Sequence, residues 1–138
     1  MAIFLGILSA IFAALVTIFG KLGVKSADPI FLTTIRSFIM TLFLIATTFY
    51  FGKFSIPFSF SGKEWMYIVL AGVSGALSWI FYFTALKFGS ANMVAALDRG
   101  SIILIFLASA LFLGEAFTYK TIIGSILIFT GLIFVVFK

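Results

Sequence analysis

Apolar residues dominate five stretches of this chain, 3–20, 29–51, 65–86, 92–113 and 121–137, each 17 to 23 residues long and parted by short turns. This is not the strict alternation of a half-buried strand, nor the one-sided stripe of a helix resting on a water-soluble core. At ~1.5 Å per helical residue, each stretch reaches across a hydrocarbon layer of ~30 Å. Within that layer no water solvates the backbone, so each stretch must satisfy its own amides as a helix. The pattern therefore predicts an all-α membrane protein, with five transmembrane helices forming a single domain over 1–138.

The helix ends carry matching chemistry. Asp28-Pro29 supplies a cap and an N1 proline for the second helix. Ser61 to Glu64 reads as a capping box before the third. Ser90 or Asn92 can cap the fourth, Gly114 can end it, and Thr118 can cap the fifth. The first stretch has no basic residue ahead of its apolar run, since Lys21 follows it. It is expected to be a retained helix and not a cleaved signal.

Composition narrows the chemistry. Hydrophobic residues make up 64% and charged ones 9%, which no soluble domain of this size would show. There is no cysteine and no histidine, so thiolates, disulfides and imidazole bases are absent. The expectation is a non-enzyme without a metal or cofactor. The net charge of +5 comes from lysines scattered singly at helix ends, which suits lipid headgroups and not nucleic acid.

Those lysines barely choose an orientation: Lys53, Lys63 and Lys120 fall on one side, and Lys21, Lys25, Lys87 and Lys138 on the other. Both a fixed topology and a dual one, with copies pairing as an inverted homodimer, are open. Small residues at helical spacing favour close packing: Gly6, Ala10, Ala13, Thr17 and Gly20 on the first helix, Gly124 and Gly131 on the fifth. On the first the stripe reads as packing within the chain; on the fifth it leans towards a subunit interface.

Three charges lie inside the apolar runs: Arg36, Asp98 and Arg99. Each costs at least ~2.5–3.5 kcal/mol to insert near mid-helix, so such groups face a bundle interior or a water-filled cavity. Arg36 lies seven residues past Pro29 and Asp98 six past Asn92. Both are then ~10 Å deep from the same side. Counting back from Lys87 puts Tyr82 and Trp79 in that layer. Two readings follow. Arg36 and Asp98 can form an ion pair that fixes packing, with Arg99 reaching to headgroups. Alternatively Arg36, Trp79, Tyr82, Asp98 and Arg99 line one polar pocket for an anionic or zwitterionic solute. Hydroxyls such as Thr33, Ser37, Thr41, Thr47, Thr84 and Ser109 are expected to bond to carbonyls of their own helices.

The stretch Phe112-Leu113-Gly114-Glu115-Ala116-Phe117-Thr118, then Gly124 through Gly131, resembles the end of an EamA domain of the drug/metabolite transporter superfamily. Upstream, Trp79 through Lys87, the Ala96-Leu97-Asp98-Arg99 run and Arg36 are similar to the family as well. The resemblance implies a five-helix bundle, one half of a ten-helix inverted-repeat transporter, related to the bacterial and archaeal single-domain branch. It implies a secondary transporter of small metabolites in a prokaryotic inner cell membrane, acting by alternating access as an inverted homodimer or as a heterodimer with a related chain. The chain departs from the family in having Asp98-Arg99 where many members carry a proline. It also lacks the first-helix acid of the small multidrug exporters. Glu115 is expected to fix a loop. A non-transporting accessory or scaffold subunit is the rival reading.

Overall fold

The computed structural model describes residues 1–55, 60–112, 114, 116 and 118–137. The expectations for Glu115 and Lys138 lie outside the described residues. Helices α1 (Ala2–Gly23), α2 (Pro29–Tyr50), α3 (Gly62–Phe88), α4 (Ala91–Arg99), α5 (Ser101–Phe112) and α6 (Tyr119–Val136) follow in order, with one 3₁₀ turn at Lys53–Ser55. No strand occurs among the described residues. Five spans are long and apolar enough to cross a membrane, α4 and α5 together making the fourth.

The ends form as the side chains dictate. Asp28 Oδ1 accepts from the amides of Ile30 and Phe31 at 3.0 Å each, with Pro29 opening the helix where no amide hydrogen is needed. The Ser61 amide donates to Glu64 Oε2 at 2.7 Å and Glu64 N returns to Ser61 Oγ at 3.3 Å, which closes the capping box. Ser90, not Asn92, caps α4 through Met93 N, and Thr118 caps α6 through Thr121 N. Beyond α2 the chain turns at Gly52 with φ +62°, a conformation glycine adopts without steric cost.

The fourth span departs from the continuous helix expected over 92–113. It breaks at Gly100, whose amide bonds to Leu97 O at 2.9 Å, while Ile103 N bonds to Gly100 O at 3.1 Å. These i→i+3 bonds tighten the chain on both sides of the break. Gly100 itself stays in the right-handed helical region, φ −59° and ψ −21°. The break leaves Asp98 and Arg99 in the last turn of a nine-residue helix and not in the middle of a long one.

The chain divides into two compact units, Met1–Ile18 with Phe88–Lys138, and Phe19–Lys87. In the first, α4 packs on α5 and α6 around buried Val94, and Gly100 lies against Leu132. In the second, the end of α1, the start of α2 and the end of α3 bury Gly20, Val24, Pro29, Thr33, Phe83 and Leu86. Lys21 Nζ donates to Leu86 O at 2.5 Å, satisfying one of the last carbonyls of α3 at its negative end. Elsewhere large apolar side chains stand outward, Phe12 at 64%, Phe81 at 69% and Phe134 at 77% exposed. Water would not tolerate so broad an apolar surface; hydrocarbon does.

A β-carbon added at Gly100 would stand 2.9 Å from Leu97 O and 3.2 Å from Leu132 Cδ1. Gly100→Ala is expected to destabilise the protein by about 1–3 kcal/mol, the usual cost of overpacking. Thermal unfolding in detergent checks this.

Candidate functional site

Five of the intramembrane hydroxyls expected to bond within their own helices do so. Thr33, Thr41, Thr47 and Thr84 each donate to the carbonyl four residues back, at 2.7–2.9 Å, and Ser109 donates to Phe106 O at 3.1 Å. That leaves the charged and aromatic residues to define a site.

In the Phe19–Lys87 unit the site is built from a glycine outward. Gly20 has no side chain, and the Phe83 ring fills the space a β-carbon would need. Phe83 is fully buried there. Trp79 precedes it by one helical turn on the same face of α3, and the two rings stack with centroids 5.6 Å apart and planes 24° off parallel. Tyr82 meets both edge-on, at 5.7 Å from Trp79 and 5.8 Å from Phe83. From α2, Arg36 lays its guanidinium over this cluster, Cζ 3.8 Å from the Trp79 centroid and 5.4 Å from that of Phe83.

Three of the five residues expected to form a site, Arg36, Trp79 and Tyr82, are thus brought together. Their hold on the cation is a ring face instead of a carboxylate. A desolvated cation–π contact contributes about 2 kcal/mol or more, a large share of the ~2.5–3.5 kcal/mol that a buried arginine costs. The contact uses the flat face of the guanidinium and leaves its in-plane N–H groups for other partners. Arg36 Nη1 is buried and finds no hydrogen-bond partner among the described residues. Beside it, Arg36 and Met40 of α2 line an apolar hollow of about 390 Å³.

Asp98 and Arg99 belong to the other unit, both exposed at the end of α4. Arg99 lines a groove of about 430 Å³ with Asn92 and Thr17, and Asp98 is not part of that lining. Residue counting did not find Phe83, Gly20 or Asn92 as site residues. The Trp79–Phe83 spacing of four and the Asn92–Arg99 spacing of seven were the available signals.

The whole of residues 1–137 matches the EamA-like transporter family. The chain belongs to that family. It is 36% identical over 128 residues to the uncharacterized transporter in the cobO 3′ region of Sinorhizobium sp, covering 93% of this chain and 91% of that one. It is 33% identical over 122 residues to an uncharacterized transporter of Archaeoglobus fulgidus, covering 88% of this chain and 40% of that longer one. No solved structure matches it. The five-span protein is therefore a multi-pass membrane transporter of the EamA type.

Trp79→Leu should weaken the EamA-type fold by about 2 kcal/mol, the worth of a desolvated cation–π contact. In an Arg36→Leu background the same change should cost clearly less. A double-mutant cycle read by unfolding in mixed micelles measures that coupling.

Proposed function

We propose that this chain is one subunit of a secondary transporter that moves a small anionic or zwitterionic metabolite across the inner cell membrane of a prokaryote. The observation that carries the reading is Arg36, held by ring faces, with Nη1 buried and unpartnered. A guanidinium seated this way presents a planar fork of donors, which fits a carboxylate or phosphate in two parallel bonds. Tyr82 and Trp79 flank the same spot, giving an incoming solute an aromatic wall.

The transporter works by alternating access as a dimer, inverted or with a related chain. Two features support a partner. Gly6, Gly72, Gly75, Gly124 and Gly131 have nothing within 4 Å of where a β-carbon would stand, so these small faces are open to close approach by another helix. The aligned stretch makes up less than half of the Archaeoglobus relative, which leaves that chain room for a second such stretch. Inverted repeats about a midplane site are a common plan for secondary transporters.

Counterflow into proteoliposomes, with a panel of labelled amino acids and organic acids, tests the solute class. Arg36→Gln should lower uptake about 10- to 100-fold, the loss of one charge-assisted hydrogen-bond pair. Uptake of cationic solutes only, or uptake untouched by Arg36→Gln, would contradict the reading. Tags on both termini should show mixed sidedness if the dimer is an inverted pair of this chain. Uniform sidedness would point to a related chain as partner.

A further inference from the structure

Asn92 and Arg99 stand seven residues apart on one face of α4, ~10 Å along the axis, with Ala95 and Ala96 between them. These alanines are too small to fill the space opposite Ala14 and Thr17 of α1, and a groove of about 430 Å³ results. The groove lies wholly within the Met1–Ile18 and Phe88–Lys138 unit, separate from the Arg36 cluster. Its size falls in the lower part of the ~300–1,000 Å³ range of small-molecule sites.

The charge in this lining has one sign. Arg99 is its only ionised side chain, and Asp98, one residue back and about 100° round the helix, does not contribute. The alanine side chains offer a guanidinium no ring face, in contrast to the seat of Arg36. Arg99 stands in the last turn of α4, where the carbonyl end of a helix favours a cation. Thr17 directs its hydroxyl hydrogen to Ala13 O at 3.0 Å, so the donors turned to a ligand are those of Arg99 and Asn92.

We infer that the α1–α4 groove binds a small organic oxyanion, a carboxylate or a phosphate, with its charge on Arg99 and a hydrogen-bonding group at Asn92. The inference does not need the Arg36 site to function. The oxyanion can come from a free solute or from a phospholipid headgroup, and the experiment separates the two.

The full chain is placed in phosphatidylcholine nanodiscs and titrated with 4-fluorobenzoate by ¹⁹F NMR, beside the Arg36→Gln protein, in which Arg99 is the one remaining arginine. Saturable binding is expected in both. Adding Arg99→Gln should weaken it about 10-fold or more, and Arg99→Lys by less, since charge stays and the fork is lost. Should Arg99→Gln fail to fold, Ala95→Leu fills the groove with both polar groups intact and must weaken binding equally. Repeating the titration in a phosphate-free non-ionic detergent separates the sources: tighter binding than in nanodiscs assigns the groove to a lipid phosphate, and unchanged binding assigns it to a free anion. No saturable binding, binding indifferent to Arg99→Gln and Ala95→Leu, or equal affinity for 4-fluorobenzylamine overturns the inference.

Discussion

A fixed positive charge placed within an apolar helix must be compensated nearby, and the way Arg36 is compensated orders the rest of the Phe19–Lys87 unit. The compensation begins at Gly20, where a missing side chain admits Phe83. Phe83 then backs Trp79, and Trp79 offers its face to the guanidinium at 3.8 Å. Had a carboxylate served instead, the N–H edge would be consumed and the arginine would be a structural rivet. Ring faces hold the cation while leaving that edge to act. The ring contact and the hydrogen-bonding edge therefore lie on different sides of one planar group.

Polar side chains at the helix ends and in the helix interiors do different work. Asp28, Ser61, Ser90 and Thr118 close the amides that the first turns leave open. Lys21 closes a carbonyl at the end of α3. Interior hydroxyls fold back on their own helices. The charged groups left within the spans are Arg36, with Trp79 and Tyr82 beside it, and Asp98 and Arg99 at the end of α4.

Much of this was legible in the sequence because each signal was local. The five apolar runs are longer than any soluble strand or short helix, and Asp28-Pro29 and Ser61 to Glu64 spell out their caps within four residues. The layer shared by Arg36, Trp79 and Tyr82 followed from counting residues along helices of fixed rise. The break at Gly100 was not legible, since glycine is tolerated inside apolar helices and the dip in hydropathy at Asp98-Arg99 reads equally as charge within a continuous span. The seat of Phe83 on Gly20 was hidden for another reason. It joins α1 to α3 across more than sixty residues of chain, and no periodicity within one helix encodes such a meeting.

The chain has two arginines, so labelling the guanidinium nitrogens gives two sets of NMR signals, one from Arg36 and one from Arg99. With the guanidinium on the indole face, the Arg36 protons are expected upfield, displaced by the Trp79 ring current, and return towards the Arg99 position in Trp79→Leu. An Arg36 signal already at the position of a solvated guanidinium, and unmoved by Trp79→Leu, would contradict that placement.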